Sequence, residues 1–260
     1  MEYDWPNLHF SDVALEDNNE DAVSAIIIAP DYEKPLPGAA DVELRSHIHR
    51  YLIDAGILKK GVAHAQSHIS ELRDALHARD IDLTSKEYGA QPTLKKTIEK
   101  IRSCARSCKR GKLFMYFCGH GISTSMAPIE TAHGHLLLRG AEKLAWEQID
   151  AALRAENFTG TLVQVLNTCH AGRPDPVPAN ASSVRSATLQ CSDVPPYKVL
   201  RLTTSAWHDS QTQDQGVKAG EEILRFVRLQ PPLPWSKWGK FFKVFRIPNN
   251  VNIPDEFCAF

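Results

Sequence analysis

Lys112-Leu-Phe-Met-Tyr-Phe-Cys-Gly-His-Gly121 is the stretch on which the reading of the fold turns. Six apolar residues run without a break from Leu113 to Cys118. The run is short for a helix and too continuous for a strand with one wet face. It predicts a strand buried on both sides in a parallel sheet. A second such strand, Thr161–Leu166, stops at Asn-Thr-Cys-His-Ala-Gly. Two buried strands thus deliver His120 and Cys169 just past their carboxyl ends, the edge where open α/β sheets bind ligands.

Working outward, Val23–Ala29 is a third buried strand, ended by Pro30 and Asp31. Leu44, Ile48, Tyr51, Leu52 and Ala55 share one helical face. Ile69, Leu72 and Leu76 give a short helical stripe, and Ile81–Thr84 a short strand. Pro92 opens a helix whose buried face carries Leu94, Ile98, Ile101, Ala105 and Cys108. Its Lys and Arg residues read as a solvated face. Ser123–Gly134 is a loop, Leu136–Leu138 an irregular strand, and Trp146–Leu153 another amphipathic helix. Val199–Thr203 is a strand, Thr204–Gln215 a polar loop, and Ile223–Val227 a short helix. Strand and helix alternate as in a parallel sheet with crossover helices. Residues 1–21 form a weakly ordered arm and 22–229 one α/β domain. The proline-rich linker 172–197 is internal to that domain. The tail 230–260 has strand character at Phe241–Ile247.

Composition narrows the function. The chain has 260 residues, 43% of them apolar, enough for one large core. A formal net charge of −1 gives no general attraction to nucleic acid or to an anionic membrane. No apolar run approaches the ~20 residues of a membrane span. The acidic start, Glu2 and Asp4, has no signal-peptide pattern. Six widely spaced cysteines point to a reducing, cytoplasmic setting.

A thiolate becomes a strong nucleophile when a base takes its proton or its pKa is lowered. An imidazole within hydrogen-bond reach can do either, so Cys169 and His120 form a candidate dyad 49 residues apart. Gly121 lets its N–H approach a substrate oxygen, and with the Cys169 N–H it could form an oxyanion hole. His64, His68 and His77 lack Cys or carboxylate partners at ligand spacing and read as a solvated or half-buried face. Cys104 and Cys108 read as one turn of a half-exposed helix rather than zinc ligands with Cys118 and His120.

Several motifs, in order, resemble the caspase and metacaspase superfamily of cysteine peptidases. Phe117-Cys-Gly-His-Gly is similar to its Ser-Gly-His-Gly element. Asn167-Thr-Cys-His-Ala-Gly resembles the metacaspase Asp-x-Cys-His-Ser-Gly. Leu36-Pro-Gly-Ala-Ala-Asp41, Pro92-Thr-Leu and Leu202-Thr-Thr-Ser-Ala with Asp209-Ser-Gln resemble further metacaspase segments. The spacing typical of caspases, with His about fifty residues before Cys, fits as well. The resemblance covers about residues 22–215.

It implies a three-layer α/β/α sandwich around a mostly parallel six-stranded sheet. It implies peptide-bond hydrolysis through an acyl-thioester, with Cys169 as nucleophile and His120 as acid/base. Asp41, Asn167 and Ser205 would contact substrate. No cofactor or metal is implied, the partner is a protein or peptide, and the chain is expected to be a monomer. Metacaspases carry Asp where this chain has Asn167, so Arg or Lys specificity is only slightly favoured. Arg45 and Arg201 leave an acidic specificity open. Arg173, Arg185 and Lys198 are candidate self-cleavage positions. The alternative is a non-catalytic caspase-like module acting as scaffold or regulator.

Overall fold

A computed structural model describes residues 22–30, 32, 66–79, 81–83, 93–123, 134–139, 142–169, 195–204, 213–228 and 243–247. In chain order these hold β1 (Val23–Ile28), α1 (Ile69–His77), β2 (Asp82–Leu83), α2 (Leu94–Ser107) and β3 (Lys112–Cys118). Next come β4 (Gly121–Ser123), β5 (Gly134–Leu137), β6 (Lys143–Leu144), α3 (Trp146–Ala155) and β7 (Thr161–Asn167). The last are β8 (Lys198–Thr203), α4 (Gln213–Arg228) and β9 (Lys243–Ile247). The expected helix around Leu44–Ala55 and most of the linker lie outside the described residues.

Six strands form one sheet in the order β2-β1-β3-β7-β8-β9. Every pair is parallel except β8–β9. The apolar run of β3 is explained by its place inside this sheet, because successive side chains point to opposite faces and both faces are covered. Phe114, Tyr116 and Cys118 join Ala25, Ile27, Val163 and Leu200 on one face, under α1 and α4. Leu113, Met115 and Phe117 join Ile26, Leu162 and Val199 on the other, under α2 and α3. The result is an α/β/α sandwich with two cores, one on each side of the sheet. Phe114 and Phe117 are fully buried, and truncating either to Ala would cost about 3–5 kcal/mol.

The helices start where local chemistry supplies a cap. Thr93 Oγ1 accepts a hydrogen bond from Lys96 N–H at 3.3 Å, and a Glu142 carboxylate oxygen accepts one from Leu94 N–H at 2.6 Å. These satisfy donors that the first helical turn of α2 cannot pair. Glu156, at the end of α3, accepts from Arg102 at 2.6 Å and Arg106 at 3.0 Å and so ties α3 to α2.

Three findings differ from the sequence expectation. Helix α4 spans 16 residues and begins at Gln213, inside the stretch read as polar loop. Its early turns dock through glycine: a Cβ on Gly220 would run into the His68 ring. The strands β4, β5 and β6 build a second, antiparallel sheet. The strand character expected at Phe241–Ile247 is present as β9, which pairs antiparallel with β8. Lys198 opens β8 opposite Thr161, and its N–H donates to Gly160 O at 3.1 Å. Cleavage there would cut a hydrogen-bonded ladder, so Lys198 is a poor self-cleavage position; Arg173 and Arg185 lie outside the described residues.

Candidate active site

Strands β3 and β7 are neighbours, with Cys118 opposite Asn167 at their carboxyl ends. Gly119 N–H donates to Asn167 O at 3.3 Å and carries the pairing one residue further. His120 and Cys169 follow, each two residues past its strand and each half-buried. The next residue shows how close the two segments come. A Cβ on Gly121 would overlap the carbonyl oxygen of Cys169 and crowd Thr168 Oγ1. Glycine is required here by close approach, so the chain leaving His120 lies directly against the Cys169 peptide.

Each segment is braced from behind. Tyr32 stands two residues beyond the residue that ends the β1 run, Pro30, and is buried. Its hydroxyl accepts from His120 N–H at 2.8 Å and donates to Leu137 O at 2.7 Å. The Tyr32 and His120 rings lie 5.0 Å apart between centroids, tilted by 50°. Burial pushes the Tyr32 hydroxyl well above its ordinary range, so it keeps its proton. On the cysteine side, Thr168 N–H donates to Thr204 Oγ1 at 3.3 Å, and Thr204 N–H donates to Leu166 O at 3.1 Å. Gln66 Nε2 donates to Cys118 O at 2.7 Å and Pro30 O at 3.3 Å, closing carbonyls at the ends of β3 and β1.

Asn167 is 3% exposed. Its amide nitrogen donates inward, to Gly216 O of α4 at 2.8 Å and to the Tyr116 hydroxyl at 3.2 Å. Tyr116 in turn meets His68 Nε2 at 2.7 Å. A polar chain therefore runs from α1 through β3 and β7 to α4, beneath the strand ends. His68 is buried in it, not on a solvated face, whereas His77 is exposed. Arg201 is also buried, on the opposite layer. Its Nε donates to Gln164 Oε1 at 2.7 Å, and its guanidinium lies 4.6 Å over Trp146. That placement removes Arg201 as a reader of an acidic substrate. Asp41, Ser205, His64 and His170 lie outside the described residues.

The thiols differ in setting. Cys104 and Cys108 are buried under α2, not half-exposed, and on the other side of the sheet from Cys118. The sheet thus separates the set considered for zinc. Burial pushes the Cys108 and Cys118 thiols up to about 12, so both stay protonated and unreactive near neutrality. Among the described residues, no three His, Cys, Asp or Glu side chains are grouped to hold a metal ion. No helix among them is long and apolar enough to cross a membrane.

No family model matches the chain, and no curated protein does. Among solved structures, protein GSU0716 from Geobacter sulfurreducens superposes with a TM-score of 0.52 at 14% identity, over 91% of this chain and 97% of that one. The two share a fold. Caspase-1 from Spodoptera frugiperda gives a TM-score of 0.45 at 9% identity, over 85% of this chain and 75% of that one.

Sequence reasoning singled out His120, Gly121 and Cys169, which lie together at one edge of the sheet, but passed over Tyr32, Gln66 and Thr204 beside them. Tyr32 had a usable signal. It follows the carboxyl end of an apolar strand, as His120 and Cys169 do. Gln66 had none, because nothing local distinguishes a glutamine that caps strands 36 and 52 residues away in sequence.

Proposed function

We propose that the chain is a caspase-like cysteine endopeptidase working through Cys169 and His120. The observation that carries the reading is the packing of Gly121 on the Cys169 carbonyl, at the edge where β3 and β7 end together. The order of motifs in the sequence supports it independently.

In the proposed reaction the Cys169 thiol passes its proton to His120 as its sulfur adds to the scissile carbonyl carbon, and the carbonyl π electrons move to oxygen. The oxyanion is met by the N–H groups of Gly121 and Cys169. The register helps here. Leu137 N–H donates to His120 O at 2.8 Å, which makes Gly121 opposite Leu136 a pair that exchanges no ladder bond. The Gly121 N–H is therefore not consumed by β5. As the C–N bond breaks, His120 gives its proton to the leaving amine. Water then attacks the thioester, His120 takes its proton, and Cys169 is released.

The preference for Arg or Lys rests on Asp41, since the amide of Asn167 turns inward. The enzyme would act as a cytoplasmic monomer on protein or peptide substrates. The test is hydrolysis of a positional library of fluorogenic peptides, with Cys169→Ala and His120→Ala as controls. Cleavage after Arg or Lys that both variants abolish is the expected result. No cleavage of any member, together with no labelling of Cys169 by peptidyl fluoromethyl ketones, would leave the non-catalytic module as the reading.

A further inference from the structure

In an antiparallel ladder, directly opposed residues alternate between pairs that exchange both hydrogen bonds and pairs that exchange none. His120 stands opposite Leu137, one step beyond the Gly121–Leu136 pair, and belongs to the exchanging kind. One bond is direct, from Leu137 N–H to His120 O. A hydroxyl occupies the reciprocal position. Tyr32 accepts from His120 N–H at 2.8 Å and donates to Leu137 O at 2.7 Å, bridging the groups that the second bond would join. A Cβ on Gly119 would strike the same hydroxyl. The phenol ring, tilted against the imidazole, walls one side of it.

The geometry points to Tyr32 as the positioning residue of His120. Its hydroxyl wedges open the first rung between the His120 segment and β5, and thereby fixes the direction in which the imidazole leaves the end of β3. Without the hydroxyl, His120 N–H can close on the Leu137 carbonyl. The peptide then moves toward β5 and takes the imidazole away from Cys169. Tyr32 does not touch substrate and acts only through His120. The inference rests on the peptidase reading for its kinetic test but not for its spectroscopic one.

The experiment compares wild type with Tyr32→Phe, which keeps the ring and removes the wedge. With active sites counted by a peptidyl fluoromethyl ketone, kcat should fall about 10- to 100-fold, as expected when a reacting group is misplaced by about 1 Å. KM should stay within about twofold, because substrate contacts are intact. In parallel, the His120 imidazole is followed by NMR across pH, with His120→Gln providing the assignment. Its titration midpoint should move in Tyr32→Phe. Gly119→Ala, which pushes on the hydroxyl from the other side, should reproduce both effects and serves if Tyr32→Phe folds poorly. Wild type that hydrolyses nothing but shows a moved His120 titration sinks the peptidase reading and sustains this inference. An unchanged titration in both variants overturns it, as does a rate loss that only tracks the fraction of folded protein.

Discussion

Replacing Asn167 by Asp installs the residue usual in metacaspases, and the structure makes a specific forecast for the outcome. The side chain is 3% exposed, and its amide nitrogen is 2.8 Å from the Gly216 carbonyl oxygen and 3.2 Å from the Tyr116 hydroxyl. A carboxylate there would face the Gly216 carbonyl acceptor to acceptor, and the Tyr116 hydroxyl brings one proton at most. A buried charge left uncompensated costs about 3–5 kcal/mol. The protonated acid can still donate to Gly216, so it costs only about 1 kcal/mol. The difference, about 3 kcal/mol, raises the carboxyl in the folded state from its usual ~3.9 to near pH 6. For a group raised on folding, stability is intact below the unfolded pKa and is lost as pH climbs through the folded one. The variant should therefore melt about 2–4 °C below wild type at pH 4 and about 8–16 °C below it at pH 7.5. Thermal denaturation of both proteins across that range is the assay. A gap that does not change with pH, or a loss under about 1 °C at pH 7.5, would refute the inward placement of residue 167 and return it to a substrate-facing role.

Three further outcomes follow from the described geometry. Gly121→Ala should lower peptidase turnover at least about 100-fold while costing about 1–3 kcal/mol of stability, because its methyl group displaces the Cys169 carbonyl; an active variant would mean that the two segments do not touch. Iodoacetamide near neutral pH should modify Cys169 before Cys104, Cys108 or Cys118, since those three are buried; peptide mapping checks the order. Glu156 is held below the usual carboxylate range by Arg106 first and Arg102 second. Its contribution is present at neutral pH and disappears as pH falls through its lowered pKa. Glu156→Gln should therefore lower the melting temperature at pH 7 and lower it by less at pH 3.

The parts of the fold legible in the sequence were those set by one-dimensional pattern. Continuous apolar runs located β1, β3, β7 and β8, and helical stripes located α1, α2 and α3. The same runs pointed to the strand ends, and so to His120 and Cys169. What stayed hidden depends on contacts between distant segments. The first half of α4 carries Gly216 and Gly220 on its inner side, so the sequence shows only a short helix at Ile223–Val227 although the earlier turns pack closely on Asn167 and His68. Arg201 was available as a reader of an acidic substrate, but its partners Gln164 and Trp146 come from β7 and α3 and bury it. His68 looked solvated or half-buried for the same reason: Tyr116, which bonds it in the core, is 48 residues away. A residue's neighbours across the sheet decide its role, and no local window contains them.

The strand order also sets when this chain could become chemically competent. β7, which carries the sulfur, is inserted between β3 from the first half of the protein and β8 from the second. Such non-local parallel pairing is slow to form. A growing polypeptide would emerge with its imidazole long before its thiol, and the thiol's braces at Thr204 and Gly216 arrive later still. On the proposed reading, the dyad is completed only after β7 and its braces have paired, late in the chain's synthesis.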